Sequence, residues 1–498
     1  MTTPSLLPLV LLLILCWKSG VEAVEHSWES HLHEQARGMA DRLSTTLTPW
    51  PVPSRSFPVE VHQAVADGVT INTKAIQAAI DACSGAGGGV VSFANGDYVT
   101  GTIVLKSGVM LEIAKGSRLL GSLDLRDYPD HVAQRRTVMD TNMGANQSLI
   151  FAEGVERIGI RGMGEIDFRG SQKHFPGKQT ISATPGRPFG IRILDSRQVV
   201  VEDITLRNAA CWMQNYLNCE DLIFQRMQVS NHANYNNDGL DIDGCRRVIV
   251  RDCFINSEDD ALCFKGASLR PTEDVLIENS TFFSTCNALK IGTDTQGDFR
   301  RIYARNLRLG GIPDHLVSLR RQQASTGITL ATVDGGDVED IVIENCTIER
   351  ADCPIFLRIG SRGRVMPGMP PAKIGKLQRI LIQDITGGDN FRQGSMISGI
   401  DGGLIEDVVL QRIDLSMMGG GTPEMAAAKV TEDPKGYPDA HQFSRSGLPS
   451  YGFFLRHAQR LHFRQVRVTP VAPDARPFFV VDPSVWASSR DGESLEVR

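Results

Sequence analysis

Short runs of alternating apolar and polar residues recur along most of the chain, and many of them end at Asn, Asp or Gly. Three runs are versions of one phrase: DGLDID at residues 238–243, DALCFK at 260–265 and NALKIG at 287–292. Alternation over so few residues predicts short strands separated by tight bends. A phrase that returns after about 20 to 30 residues predicts coils that bury their apolar faces by stacking on one another.

The expected fold is therefore all-β, a solenoid of the parallel β-helix type. A β-propeller is the alternative, but it requires hairpins and about four strands in every 40 to 45 residues. Near the start of the solenoid, the spacing of Ala75, Ile76, Ala79 and Ile80 predicts a short helix over residues 73–83. Such a helix would cap the first coil, whose apolar end is otherwise exposed.

The chain divides into four segments. Residues 1–23 read as a signal peptide, with an apolar run at 6–16 that is too short to span a bilayer, so we expect a secreted or periplasmic protein without a membrane span. A short, solvated helix and a Pro-rich spacer are expected over residues 24–56. The β-helix catalytic domain is expected over residues 57–470, and a C-terminal tail over residues 471–498. Gly- and Pro-rich stretches at 361–375 and 416–450 predict loops that leave the coil.

Composition narrows the possible partners. The formal net charge is −6, the pI is about 6.0, and no long basic run is present, so nucleic acid is not an expected partner. Beyond the signal peptide there are nine cysteines, an odd number without a CxxC pair, which we expect to pack as small apolar side chains and not to bind zinc. A monomer is expected.

The three phrases also align carboxylates. Leu240 and Ile242 should point into the stack, and Asp241 between them should point out. Asp238, Asp260 and Asn287 fall at inward positions by parity, where a carboxylate would be strongly destabilised, so they must lie in the bends. Asp and Asn are common in such bends for structural reasons alone.

The number of acids favours a functional interpretation. Stacked strands are about 4.8 Å apart, so Asp238 and the adjacent pair Asp259 and Asp260 should lie within several ångströms of one another. Like charges at that distance raise the pKa of at least one carboxyl group. A raised acid beside an ionised carboxylate is what glycoside hydrolysis requires.

The segment NNDGLD at residues 236–241, followed by Asp259 and Asp260, resembles the Asn-x-Asp and Asp-Asp signatures of glycoside hydrolase family 28, the polygalacturonase family. The similarity extends from about residue 67 to about residue 415. The resemblance implies a right-handed β-helix and hydrolysis with inversion, with Asp259 as general acid and with Asp238 and Asp260 holding and deprotonating water. Acid and base are then expected about 6.5–9.5 Å apart. No metal or organic cofactor is implied.

The chain departs from the family pattern at two motifs. CNA at residues 286–288 replaces Gly-His-Gly, and TLA at 329–331 replaces the Arg-Ile-Lys motif that grips a galacturonate carboxylate. We therefore assign substrate binding to Asp241, Lys265, Asn287 and Lys290, with the two lysines as the favoured carboxylate ligands. Further candidate cations are Arg320, Arg321 and Arg358.

The predicted function is hydrolysis of an acidic plant polysaccharide or oligosaccharide, such as polygalacturonan or a rhamnogalacturonan. One alternative is a β-helix lyase of pectate-type chains, in which Asp241 and Asp243 would bind calcium. A second alternative is a non-catalytic carbohydrate-binding β-helix. Endo or exo action depends on loops and stays open.

Overall fold

The chain winds into a right-handed parallel β-helix, as predicted. The computed structural model describes residues 28–132, 146–177, 186–365, 371–390, 393–443, 447–485, 487–491 and 494–497. The predicted signal peptide lies outside these residues. Described strands pair in parallel except for two antiparallel pairings near the C-terminus, so the β-propeller alternative is wrong.

In the residues that the structure describes, two sheets form the walls of the coil. The sheet that carries the stacked phrases, called the site sheet below, has twelve strands: Ile103–Val104, Ser148–Glu153, Phe189–Leu194, Gln214–Leu217, Leu240–Asp243, Leu262–Gly266, Asn287–Thr295, Ala324–Thr332, Ala351–Ile359, Ser395–Ser398, Phe453–Arg456 and Phe479–Val481. The long sheet has 23 strands: Ser56–Pro58, Asp67–Ile71, Gly89–Phe93, Gly96–Thr100, Val109–Ile113, Ser117–Gly121, Glu156–Arg161, Glu165–Asp167, Arg197–Glu202, Thr205–Arg207, Glu220–Gln225, Gln228–Asn231, Arg246–Arg251, Phe254–Ser257, Thr272–Glu278, Thr281–Ser284, Phe299–Gly310, Val338–Glu349, Leu377–Asn390, Ile405–Gly419, Ala458–Ala472, Ala487–Asp491 and Ser494–Val497.

In the described part of the chain, four α-helices accompany the sheets: α1 at residues 28–46, α2 at Thr73–Gly85, α3 at Pro423–Ala426 and α4 at Ala440–Phe443. Helix α2 is the predicted capping helix. It begins after Asn72, and its buried side chains Ile76, Ala79, Ile80 and Cys83 join the apolar core of the coil. Among the described residues, no helix has the length and apolar character to cross a membrane.

The core is a set of stacked apolar rungs in the predicted register. Leu240 pairs with Leu262, which pairs with Leu289, and Ile242, Phe264 and Ile291 form the next rung. All six side chains are nearly or fully buried. Burying one such side chain stabilises the fold by roughly 1.5–3 kcal/mol, and every coil repeats the contribution.

Polar residues close the bends of the long sheet. Asp252, Asn279 and Asn306 stand in the left-handed backbone region, with φ of 55°, 51° and 57°, which Asp and Asn tolerate better than most residues. Their side chains also stack, since the Nδ2 of Asn306 donates to the Oδ1 of Asn279 at 2.9 Å. The bends thus explain why the alternating runs of the long sheet end at Asn or Asp.

Helix α1 is not the solvated helix that its polar sequence predicted. Leu32, Met39 and Leu43 are buried against the outer face of the long sheet. They cover an apolar stripe made of one outward residue from each successive coil: Val200, Ile223, Ile249, Leu276, Tyr303, Val342, Leu381 and Val409. Polar contacts also join the helix to the sheet: Nε2 of His33 lies 2.7 Å from Glu344, and Glu29 forms an ion pair of 2.7 Å with Arg464.

The C-terminal segment, predicted as a tail, contributes three strands. Phe479–Val481 extends the site sheet in parallel, and Ala487–Asp491 and Ser494–Val497 form a hairpin beside Ala458–Ala472. All nine cysteines of the described chain are free thiols, and eight of them are buried, in line with packing as small apolar groups.

Candidate active site

The predicted acids converge in the bends before successive strands of the site sheet. The amide of Gly239 donates to the carbonyl of Asp260 at 2.8 Å, and the amide of Ala261 donates to the carbonyl of Asn287 at 2.9 Å. These bonds stack the three bends on consecutive coils. Asp238, Asp260 and Asn287 are buried, and Asp259 is half-buried.

Lys265 lies between two of the acids. Its Nζ is 3.3 Å from Oδ2 of Asp238 and 3.1 Å from Oδ1 of Asp241, and it sits 4.2 Å from the centre of the Trp212 ring. Asp241 points away from the core, as its parity requires, yet it is fully buried. The outward face of the site sheet is therefore enclosed here and not solvated.

Lys290, one coil further, also lies between two carboxylates. Its Nζ is 3.0 Å from Oδ2 of Asp260 and 3.2 Å from Oδ1 of Asp439, and Nδ2 of Asn287 donates to Oδ1 of Asp260 at 2.5 Å. Asp439 comes from the excursion at residues 420–452, between two neighbouring coils. From the same excursion, the Tyr437 ring lies 5.6 Å from Nζ of Lys290. Sequence reasoning predicted the loop but missed both of these residues.

The adjacent acids Asp259 and Asp260 are displaced in opposite directions. Burial raises the pKa of Asp259 well above its usual value, and the negative charges of Asp238 and Asp260 add to the rise. Burial would also raise the pKa of Asp260, but the ammonium charges of Lys290 and Lys265 outweigh it and lower that pKa. Asp259 is therefore the weaker acid of the pair and Asp260 the stronger.

Asp238 and Asp241 form a second coupled pair. Burial raises the pKa of Asp238 well above its usual value, and repulsion from Asp241 adds to the effect. Burial likewise raises the pKa of Asp241 to about 7, although Lys265 counteracts it. The two carboxyl groups share Lys265, so their titration belongs to the pair.

Asp259 and Asp260 lie close together, while the separation of acid and base that the resemblance implies stays a prediction. A carboxylate oxygen of each, together with Sγ of Cys286, all lie within 4.8 Å of one another. The reason is that the two acids are consecutive residues of one bend.

The remaining candidate cations are held by other groups of the chain. Arg320 lies 3.3 Å from Glu258 and 4.6 Å from the Tyr235 ring, and Arg321 lies 3.0 Å from Asp352. Arg358 is buried and donates to the hydroxyl of Ser398 and to the carbonyl of Asp433.

The sequence profile of glycosyl hydrolases family 28 matches residues 111–432. The chain belongs to this family. It is therefore a glycosidase, in agreement with the resemblance that the acid motifs carried. Of the residues proposed for the site, Asp238, Asp241, Asp259, Asp260, Lys265, Asn287 and Lys290 lie together on three coils within the matched range.

Known proteins extend this comparison. The chain is 23% identical over 406 residues to a probable polygalacturonase of Vitis vinifera, covering 78% of this chain and 77% of the relative. Its fold resembles a hyperthermoactive exopolygalacturonase from Thermotoga maritima, with a TM-score of 0.68, 18% identity, and coverage of 87% of this chain and 96% of that one. It also resembles a surface adhesin of Streptococcus pneumoniae, with a TM-score of 0.54, 13% identity, and coverage of 89% and 100%. The β-helix alone therefore does not decide function.

Proposed function

We propose that this glycosidase is a secreted or periplasmic enzyme that hydrolyses a galacturonate-containing plant polysaccharide with inversion at the anomeric carbon. The observation that supports it best is the stacking of Asp238 on the bend that carries Asp259 and Asp260, where burial and the nearby lysines displace the pKa values of Asp259 and Asp260 in opposite directions. A carboxylic acid that stays protonated beside an ionised carboxylate supplies both proton transfers that glycosidic cleavage needs. The polygalacturonase relative supports the class of substrate.

In the proposed reaction, Asp259 donates its proton to the leaving glycosidic oxygen. Asp260, which Lys290 and Asn287 keep ionised, accepts a proton from the attacking water, and Asp238 on the preceding coil helps to hold that water. The water oxygen bonds to the anomeric carbon as the glycosidic bond breaks. The carboxylates also stabilise the positive charge that develops on the sugar ring.

The test is hydrolysis of a panel of pectic polymers, with products separated by size and the first anomer read by proton NMR. Release of the inverted anomer supports the proposal. Release of the retained anomer would refute a single displacement. The protein would still be a hydrolase in that case, as the short distance between Asp259 and Asp260 allows. The test variant is Asp238→Asn, which should fold and be inactive, and its matched control is Asp433→Asn, the same change at an exposed residue, which should be fully active.

The lyase alternative is less well supported. The carboxylate of Asp243 accepts hydrogen bonds from the amides of Ala267 and Ser268, both at 3.2 Å, and Asp241 is paired with Lys265. Both proposed calcium ligands are thus engaged by the protein itself. Unsaturated products, or loss of activity with a chelator, would reverse this preference. Binding of pectin fragments without release of reducing ends would instead favour the non-catalytic alternative.

A further inference from the structure

We propose that the sugar residue bound at the point of cleavage is uncharged, and that Asp439 enforces this choice by occupying the face of Lys290 that a substrate carboxylate would otherwise take. The inference rests on the proposed hydrolysis and specifies the chemistry of the sugar that enters the site. It replaces the earlier interpretation of Lys265 and Lys290 as ligands of a uronate.

Both lysines of the site are already saturated with negative charge. Lys265 is shared by Asp238 and Asp241, at 3.3 and 3.1 Å, and Lys290 by Asp260 and Asp439, at 3.0 and 3.2 Å. A uronate approaching either ammonium would meet two carboxylates of the protein. Like charges at such distances repel strongly in an enclosed site, where water screens them little.

Asp439 behaves as an internal substitute for a substrate carboxylate. It is buried although it lies on an excursion outside the coil, and its Oδ1 accepts from Lys290 at 3.2 Å and from Asn287 at 3.4 Å. A buried carboxylate is strongly destabilising unless it is paired, so these contacts account for its position. The Tyr437 ring, 5.6 Å from Nζ of Lys290, lines the same side.

The charge balance of the site points the same way. The ammonium groups of Lys265 and Lys290 are surrounded by five carboxyl groups, those of Asp238, Asp241, Asp259, Asp260 and Asp439. A neutral sugar leaves this balance unchanged, whereas a uronate adds a further negative charge.

The first test compares polygalacturonan with the same polymer after chemical reduction of its carboxyl groups to primary alcohols. Linkage and chain length are the same, so only the charge differs. For the wild-type enzyme we expect kcat/KM to be at least about tenfold higher on the reduced polymer. Equal or faster hydrolysis of polygalacturonan would overturn the inference and leave the proposed function standing. Failure to cleave any pectic polymer would refute the proposed function, and this inference with it.

The second test is Asp439→Asn, which keeps the shape of the side chain and removes its charge. The ratio of kcat/KM on polygalacturonan to that on the reduced polymer should rise at least about tenfold. The control is Asp433→Asn, the same change on an exposed residue of the same excursion, which should leave the ratio unchanged. A folded Asp439→Asn enzyme with the wild-type ratio would refute the role of Asp439. If that variant does not fold, the wild-type comparison alone decides.

Discussion

Replacing Lys290 by methionine removes the ammonium group between Asp260 and Asp439 and keeps most of the side-chain volume. Its Nζ lies 3.0 Å from Asp260 and 3.2 Å from Asp439. At an effective dielectric constant of about 20, unit charges about 3 Å apart attract by about 5 kcal/mol, part of which desolvation cancels. Because two buried carboxyl groups lose their partner, we expect the free energy of unfolding to fall by about 3–5 kcal/mol at neutral pH.

This loss should depend on pH in a defined direction. In the wild type, Lys290 helps to hold the pKa of Asp260 below its usual value. The pair therefore stabilises the fold above the unfolded pKa, and its contribution is lost as pH falls through the folded pKa. In Lys290→Met, burial dominates and raises the pKa of Asp260, so the fold is penalised increasingly as pH rises. The difference between the two proteins should be largest near pH 7 and smallest below about pH 4.

Urea unfolding at several pH values measures this difference. The matched control is Lys106→Met, which breaks an ion pair of 2.8 Å with Asp81 in which both side chains are about half exposed. Such an exposed pair contributes less than about 1 kcal/mol. If Lys290→Met costs no more than the control, or if its cost stays constant between pH 4 and 7, the account of the buried cluster is refuted.

Three further predictions follow from the same contacts. Asp259→Asn should lower kcat by more than about a thousandfold with an unchanged melting temperature, and a folded, active variant would contradict its role as the acid. Asn287→Ala removes a hydrogen bond to Asp260, so the acid limb of the kcat/KM profile should move to higher pH, and an unshifted profile would contradict this. Met39→Asp places a charge beneath α1 and should lower the melting temperature far more than Gln35→Asp on the exposed side of that helix, while equal effects would contradict the docking of α1.

The inner rungs of the coil could be predicted because alternation constrains them completely. Leu240, Leu262 and Leu289 share a position in the repeated phrase, and the structure pairs them in that register. Helix α2 was equally accessible, because the spacing of Ile76, Ala79 and Ile80 that predicts the helix also defines the side chains that it buries. Local preference and global fold coincide in these elements.

The docking of α1 was missed although the sequence carried a signal for it. In the runs of the long sheet, the middle residue of three apolar residues points outward, as in Val200, Ile223 and Ile249. An outer face exposed to water would carry polar residues at that position, and not an apolar residue in every successive coil. The repeated outward position therefore predicts a covering element, and in the structure α1 is packed on it.

The candidate site likewise contains residues that could be predicted from the sequence and residues that could not. Residues on the coil are brought together by register, so the position of Asp238 implies that of Asp260 one coil later. The excursion that carries Asp439 has no register with the coil, and no spacing in the sequence relates it to Lys290. Charge balance still offers a partial rule. Lys290 lies at an outward position between two apolar residues of its strand. Such a lysine is buried at low cost only where carboxylates surround it, and among the acids of the repeated runs only Asp260 forms an ion pair with it. The sequence therefore allowed a second acid from a loop to be expected, but not the residue that supplies it. The substrate preference of Asp439→Asn will show whether this acid only balances the charge of Lys290 or also selects the sugar.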